Sequence, residues 1–451
     1  MGQRETWATR TGFVLAAVGS AVGLGNIWRF PFVTGESGGA GFLLIYLLFV
    51  ALIGLPVILV EFVIGRHTKR NPVGALREIG SGAWRYVGWI FVVTTFVIMS
   101  YYSVVAGWTI RYTILGLQGD YVSDVDGAGG QFLELAQGVE AMAFHALFLL
   151  IVVAIVGFGI RRGIELAVKV MVPAIIAITV GLALWAFTLE GASEAYSYYL
   201  SPDFQQLAAD WTTVLPAAAG QAFFTLSLGF GIMITYASYL GSDRNLAEDG
   251  VVIIGFDTAI AVVVGLVVFP ILFTAGVDPG DPGAGAIFIS LSAAFGELPL
   301  GGIIGAIFFG TVAIAALSSA ISLTEVVVSY AIDERGMDRL TATLAVCGGL
   351  FVLGLLPAWD LVLLDLLDGF ADGILLLLGG LLISAYVAWF WADDAIEELG
   401  RGIGPLGNLG TYWIWAVRVP VLIVLFVSLL LGVLDYVEFL QTDFAEWLED
   451  L

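Results

Sequence analysis

The stretch WATRTGFVLAAVGSAVGLGNIWRFPF, residues 7–32, decides the fold of this chain. It is long and apolar enough to cross a bilayer, which takes about 20 residues of helix. Its centre, GSAVGLGN at 19–26, carries three glycines in eight residues. Each glycine costs a helix about 1 kcal/mol, and inside a bilayer a broken hydrogen-bond ladder must be satisfied by protein or ions. The stretch therefore predicts a membrane span whose helix is interrupted at its middle.

A second apolar span carries a similar interruption, SLGFG at 227–231, five spans further along the chain. Paired breaks at corresponding positions of two halves indicate an inverted-repeat transporter with a binding site near the middle of the membrane. Glycines that merely allow close helix packing are the alternative for either run taken alone. The pair of breaks favours the transporter.

The composition predicts an integral membrane protein. Of the 451 residues, 59% are hydrophobic and only 12% are charged, whereas a soluble domain has roughly a quarter of charged residues. The apolar stretches are continuous rather than alternating, which predicts helices and not a barrel. Hydropathy predicts eleven transmembrane helices in a single domain spanning 1–451. Their approximate bounds are 11–34, 42–65, 86–116, 142–160, 166–189, 212–240, 249–276, 301–332, 340–357, 365–392 and 411–434.

The charges predict the orientation and exclude one class of partner. The net charge is -22, with 39 acidic against 17 basic residues, so nucleic acid is not expected to bind. Acidic loops of this kind fit a salt-rich, halophile setting, with ordinary loop acidity as the alternative. A cytoplasmic N-terminus satisfies the positive-inside rule, and an odd number of spans then places the C-terminus outside the cell membrane. The basic residues on the inner side are Arg4, Arg10, Arg66, Lys69, Arg70, Arg77, Arg85, Arg161, Arg162, Lys169, Arg244, Arg335, Arg339 and Arg401.

Few residues suit enzyme chemistry. Cys347 is the single cysteine, and His67 and His145 are the two histidines, which excludes a cysteine cluster and argues against a histidine zinc site. No nucleophile elbow is present, so we predict that the chain is not an enzyme. Asp257 instead lies inside an apolar span with no basic residue beside it in sequence. Such a carboxylate should be protonated or bind a cation, and sodium is the natural candidate.

Four motifs carry a resemblance to a known family. Residues 7–32 closely resemble the first helix of neurotransmitter:sodium symporters, especially the bacterial and archaeal leucine-transporter-like members. FFTLSLGFGIMITYASYL at 223–240 resembles their sixth helix just as closely. ALSSAISLTEVVVSYAIDE at 316–334 is similar to the eighth helix, and SYY at 100–102 to the third. The resemblance covers nearly the whole chain and implies sodium-coupled amino-acid symport by alternating access.

The same resemblance implies the leucine-transporter (LeuT) fold. This is an all-α integral membrane architecture of two inverted five-helix repeats, in which helices 1 and 6 are broken. Here repeat one would span about 7–190 and repeat two about 211–392, followed by an extra helix at about 411–434. Many relatives have twelve helices where eleven are predicted here, so the oligomeric state stays open.

Carried over position by position, the resemblance implies two sodium sites and one substrate pocket. Unwound helix exposes backbone carbonyls, and hard cations take oxygen ligands. The first sodium site would use Ala21, Asn26, Thr225 and Asp257, completed by the substrate carboxylate. The second would use the carbonyls of Gly19, Val22 and Ala315 with the hydroxyls of Ser318 and Ser319. The substrate pocket would be lined by Ser20, Ala21, Gly25, Ile98, Tyr102, Phe224, Thr225, Ser227, Phe230, Ser319 and Leu323.

The pocket residues also imply what is carried. None of them offers a charge to a substrate side chain, so a hydrophobic or aromatic amino acid is expected. Its carboxylate would meet the amides around Ala21 to Gly25 and the Tyr102 hydroxyl. Asp257 and Ala261 stand where chloride-dependent relatives have asparagine and serine. We predict that the Asp257 carboxylate does part of what chloride would do and that transport requires no chloride.

The resemblance further implies an outer and an inner gate, which close the path to the pocket in turn. The gate residues would be Tyr102 and Phe224 in a thin outer lid, Arg29 and Asp368 above it, and Arg4, Asp333, Trp7 and Tyr239 at the inner face. A sodium-dependent sensor, a carrier of another small zwitterion and an ion channel on the same fold are the alternative functions.

Overall fold

The structure is a computed structural model, and it describes residues 6–277, 279–280 and 287–449. Within these residues all regular structure is helical. Nine helices there are long and apolar enough to cross a membrane, and a bent pair near the N-terminus brings the number up to ten. The predicted all-helical membrane fold is confirmed. The predicted number of eleven spans remains a prediction, because the two helices of the sixth are individually too short to count.

We number the spans in the order in which they were predicted. Spans 1 and 6 are each formed by two helices. The bounds are Arg10–Ala21 with Gly25–Glu36 for span 1, Ala40–Thr68, Arg85–Gln118, Gly138–Val156 and Ile160–Ala186 for spans 2 to 5, Trp211–Thr225 with Ile232–Ala237 for span 6, and Leu246–Ala275, Gly301–Arg335, Arg339–Trp359, Leu361–Phe390 and Asn408–Glu449 for spans 7 to 11.

Span 1 breaks where its sequence predicted. Its two helices meet at an angle of 43°, and the Gly23 amide donates to the Ala21 carbonyl at 2.9 Å within the break. A Cβ atom on Gly23 would overlap the Ser319 hydroxyl and lie 2.9 Å from the Tyr102 hydroxyl. At the break, span 1 therefore lies so close to spans 3 and 8 that position 23 has no room for a side chain.

Span 6 breaks over residues 226–231, between its two helices. Ser227, Gly229 and Gly231 there have φ values of 53°, 80° and 74°, a region that non-glycine residues rarely enter. Glu61 of span 2 accepts a hydrogen bond from the Gly229 amide at 2.8 Å. A buried carboxylate thus satisfies part of the backbone that the break leaves without a helical partner.

The end of the molecule at which the chain begins carries buried ion pairs, and we call it the basic end. The Arg66 guanidinium contacts the Glu398 carboxylate at 2.6 Å, with both side chains almost fully buried. Arg244 pairs with Asp249 at 2.7 Å. The first pair attaches the short helix after span 10, Ala392–Gly400, to span 2, and the second attaches the loop before span 7 to the first turn of span 7.

Span 11 is longer than predicted and packs against span 10. It is helical from Asn408 to Gln441 and, after a turn at Thr442, from Asp443 to Glu449, compared with the predicted 411–434. The backbones of Gly373 and Gly432 touch, so that a Cβ on Gly432 would overlap the Gly373 carbonyl. The Trp447 indole donates to the Asp360 carboxylate at 3.0 Å, which ties the end of span 11 to the start of span 10.

Candidate functional site

A small cavity of about 20 Å³ lies between the two helix breaks. Ten of the eleven residues predicted for the substrate pocket line it. Thr225 does not, because its hydroxyl is directed at Asp257 instead. Gly23 was not predicted as a pocket residue, but it lines the cavity. The lining consists of Ser20, Ala21, Gly23, Gly25, Ile98, Tyr102, Phe224, Ser227, Phe230, Ser319 and Leu323.

One side of this cavity is polar and the other is apolar. On the polar side the Leu24 amide donates to the Tyr102 hydroxyl at 3.2 Å, and the Ser227 hydroxyl donates to the Ser20 carbonyl at 3.0 Å. The buried side chains of Ile98, Phe230 and Leu323 form the apolar side. The chemistry of the lining therefore matches a ligand with a zwitterionic end and an apolar end.

Three of the residues predicted for the first sodium site form one buried cluster. The Asn26 side-chain amide donates to Asp257 Oδ1 at 2.8 Å and to the Asp257 carbonyl at 3.1 Å. The Thr225 hydroxyl lies 3.3 Å from both oxygens of the Asp257 carboxylate. Asn26 Oδ1 is buried and has no hydrogen-bond partner among the described residues. A carboxylate, a hydroxyl and an unpartnered amide oxygen fit a hard cation such as sodium.

Four of the five residues predicted for the second sodium site also meet. The Ser318 hydroxyl donates to the Gly19 carbonyl at 2.6 Å and to the Ala315 carbonyl at 2.8 Å. The Ser319 hydroxyl lies 3.4 Å from the same Gly19 carbonyl, and Val22 is fully buried at the end of the first helix. This donor set consists of neutral carbonyl and hydroxyl oxygens, which suits sodium.

On the side away from the basic end, a larger cavity of about 720 Å³ lies above the pocket, and we call it the vestibule. Tyr102 and Phe224 line both cavities and separate them. The Arg29 guanidinium lies 4.6 Å from the centre of the Phe224 ring. It pairs with Asp372 at 2.9 Å, so the predicted pairing with Asp368 is wrong. Asp368 lies one helical turn before Asp372 and lines the same vestibule, but among the described residues the ion pair of Arg29 is with Asp372.

At the basic end, the Trp7 ring packs against the rings of Tyr236 and Tyr239, with centroids 5.1 and 6.3 Å apart. Its indole donates to the Tyr236 carbonyl at 3.0 Å, and its amide donates to the Tyr239 carbonyl at 3.4 Å. Asp333 accepts hydrogen bonds from the Asn71 backbone and side-chain amides at 3.2 and 3.1 Å. Arg4, the predicted partner of Asp333, lies outside the described residues.

Two buried glutamates at the basic end were missed by the sequence analysis. Glu325 of span 8 accepts from the Tyr239 hydroxyl at 2.8 Å and pairs with Arg339 at 2.7 Å. Glu165 of span 5 accepts from the start of span 1. Their signal was available, because an ionisable residue within an apolar span requires a partner or a function.

Comparisons with known proteins agree with this geometry. A model of the sodium:neurotransmitter symporter family matches residues 4–122 and 130–451. An uncharacterised sodium-dependent transporter of Haemophilus influenzae is 34% identical over 425 residues, which are 88% of this chain and 92% of that protein. One of Bacillus subtilis is 33% identical over 448 residues, 95% of this chain and 98% of that protein. The crystal structure of MhsT in complex with L-phenylalanine is 38% identical and covers 95% of this chain and 99% of that chain, with a TM-score of 0.86.

These matches extend over nearly the whole chain. They confirm the family and the leucine-transporter fold that the motifs predicted, and they support a multi-pass membrane protein that uses sodium. The family is one of transporters, in line with the prediction that the chain is not an enzyme. The chain belongs to the sodium:neurotransmitter symporter family.

Proposed function

We propose that this protein is a symporter in the cell membrane that carries a hydrophobic or aromatic amino acid into the cell together with sodium. The observation that carries the proposal is the two-sided pocket between the helix breaks. The Tyr102 hydroxyl and the backbone of the breaks face one end of the cavity. Among the described residues no charged side chain lines it, so the walls select against a charged substrate side chain. MhsT, in its complex with L-phenylalanine, is a relative of similar sequence and fold.

Two sodium ions are proposed to accompany the substrate. One would be held by Ala21, Asn26, Thr225 and Asp257, and the substrate carboxylate would complete its shell. The other would be held by the carbonyls of Gly19, Val22 and Ala315 with the hydroxyls of Ser318 and Ser319. Bound sodium would supply positive charge beside the pocket and join span 1 to spans 7 and 8.

We propose that transport requires no chloride. Asp257 puts a carboxylate beside Asn26 and Thr225, and this fixed charge would offset part of the charge of two sodium ions. Ala261, close along span 7, offers no hydroxyl to an anion. The protein would therefore transport equally well when chloride is replaced by gluconate.

Alternating access is the proposed mechanism. Trp7, whose indole bonds to the Tyr236 carbonyl, would seal the basic end, which we assign to the cytoplasm, while the vestibule lies on the opposite side. The cavity of about 20 Å³ holds little more than one water molecule. Substrate entry therefore requires Phe224 and Tyr102 to move apart, and release requires Trp7 to leave its place against Tyr236.

The experiment that tests the function is thermal stabilisation of the purified protein by each of the twenty amino acids, in sodium and in potassium, without chloride. Stabilisation by hydrophobic or aromatic amino acids in sodium alone is the expected result, and uptake into proteoliposomes then separates a symporter from a sensor. No sodium-dependent shift with any amino acid would contradict the substrate proposal. A sodium current without saturable uptake would favour a channel.

A further inference from the structure

Arg418 of span 11 lies between two exposed tryptophans on the outer surface of the helix bundle. Its guanidinium carbon is 4.9 Å from the centre of the Trp389 ring and 5.3 Å from that of the Trp415 ring. The two tryptophans are 58% and 51% exposed. Exposed residues of a membrane span face lipid, so this cation and its two rings lie on a surface that lipid can reach. We call these three residues the arginine site.

The Arg418 guanidinium has donors to spare. Its Nε donates to the Ala388 carbonyl at 2.8 Å, in the last turn of span 10, where carbonyls lack a helical donor. A guanidinium has five N–H donors, and the four on its terminal nitrogens remain. Among the described residues no carboxylate pairs with Arg418, whereas Arg66 and Arg244 each have one. A charge of this kind next to lipid is costly unless a partner of opposite charge is supplied.

The helix of span 11 is irregular where it carries Arg418. The regular helix Asn408–Ala416 is followed by a wide π-helical turn, Val417–Val421, before regular helix resumes. Pro420 within the turn has no amide to donate. Wide turns of this kind occur frequently at functional positions of helices. The turn therefore marks the position of Arg418 as a special one within an otherwise apolar span.

The arginine site lies at the level where the membrane ends on the basic side. Trp84, the residue before span 3, packs against Tyr386 and Phe390 of span 10, with ring centroids 4.4 and 6.3 Å away. The end of span 10 is therefore level with the start of span 3. Tryptophan and tyrosine are enriched at this depth, beside the lipid headgroups. Arg418 contacts Ala388, two residues before Phe390, and so lies near the headgroups and not at the middle of the membrane.

A phosphate group matches this arrangement. The planar guanidinium fork can donate two parallel hydrogen bonds to two phosphate oxygens, while its faces stay against the indole rings. Basic positions between spans on the cytoplasmic side are where anionic headgroups bind membrane proteins. A choline headgroup would bring a second cation beside Arg418. An anionic headgroup, in contrast, would supply the charge that the protein leaves out.

We propose that Arg418, with Trp389 and Trp415, binds the phosphate of an anionic phospholipid in the leaflet at the basic end. The bound lipid would join the end of span 10 to span 11. The site lies outside the substrate pocket and both proposed sodium sites, so it does not depend on the proposed function. Replacing Arg418 by glutamine removes the charge and the fork. Because hydrogen bonds to charged groups are among the stronger ones, we expect lipid binding to weaken about tenfold.

The test is a lipid titration of the purified protein in detergent, followed by native mass spectrometry. Dioleoyl phosphatidylglycerol is the anionic probe and dioleoyl phosphatidylcholine is the zwitterionic one. Sodium phosphate without lipid is the third arm. Arg85→Gln is the matched control for Arg418→Gln, because Arg85 is an exposed arginine at the same level that contacts one ring, that of Tyr86, at 4.9 Å.

The parent should bind its first phosphatidylglycerol at a lower concentration than its first phosphatidylcholine. Arg418→Gln should raise the phosphatidylglycerol concentration for half occupancy about tenfold, and Arg85→Gln should leave it unchanged. Trp389→Leu, at an exposed position, should raise it severalfold and serves as the test variant if Arg418→Gln does not fold. Equal phosphatidylglycerol affinity of the parent and the folded variants would overturn the proposal.

The other occupants of this surface give different results. Equal affinity of the parent for both lipids would overturn the requirement for an anionic headgroup. Phosphate ions that bind the parent without lipid, and are lost in Arg418→Gln, would identify a site for a free anion and overturn the lipid. A dimer that dissociates in Arg418→Gln while phosphatidylglycerol binding is unchanged would show that a second copy of the chain covers this surface, which also overturns the lipid.

Discussion

The substitution Gly23→Ala tests the pocket most directly. The added Cβ would overlap the Ser319 hydroxyl and lie 2.9 Å from both Ser319 Cβ and the Tyr102 hydroxyl. Normal contacts are near 3.5 Å, so these groups must move by about 0.6 Å or more. Overpacking of this kind costs about 1–3 kcal/mol. Since Ser319 and Tyr102 line the cavity, we expect L-phenylalanine binding in sodium to weaken by about 5- to 150-fold.

The assay is a titration of the purified variant with L-phenylalanine in sodium, read by thermal stabilisation or by radioligand binding. Gly255→Ala is the matched control, because a Cβ on Gly255 in span 7 meets no atom within 4 Å. This control should bind as the parent does. A Gly23→Ala protein that is folded and binds L-phenylalanine with the parent's affinity would refute the close packing at the break of span 1.

Three further predictions concern the ions and the scaffold. Asp257→Asn should weaken sodium-dependent substrate binding at least about tenfold in chloride-free buffer, because the fixed carboxylate is lost. Added chloride should restore part of this binding. Equal binding by the variant in both buffers would count against the proposed role of Asp257. Ser318→Ala should raise the sodium concentration that gives half-maximal thermal stabilisation. The Ser329 hydroxyl bonds back to its own helix, so Ser329→Ala should leave this concentration unchanged. The same shift in both variants would exclude a specific role for Ser318. Glu398→Ala should lower the free energy of unfolding by about 3–5 kcal/mol, because it leaves the buried Arg66 guanidinium without its carboxylate. Glu397→Ala, at a side chain that is 74% exposed, should have little effect. Denaturation in detergent measures both free energies, and equal losses would contradict this reasoning.

Local sequence carries much of the fold because the bilayer restricts the choices. A chain in lipid must satisfy its backbone within helices, so each long apolar run in this sequence becomes a span. The glycines at 19–25 and 227–231 then mark the two places where a helix cannot continue unaided. The predicted cavity residues follow from these breaks together with family motifs, and ten of them surround one cavity in the structure.

What the sequence could not supply is which partner each buried charge takes. Asp368 and Asp372 lie one helical turn apart on the same span, and local sequence does not rank them as partners for Arg29. The tertiary structure places Asp372 at 2.9 Å from Arg29. Glu165 lies 157 residues from Ala8 in the sequence and accepts a hydrogen bond from the Ala8 amide. Helices form from contacts within a few residues, whereas these pairs depend on how distant spans are placed against each other. The sequence alone determined the apolar spans, their interruptions and the family, and the tertiary structure decided which charges, hydroxyls and glycines meet across them.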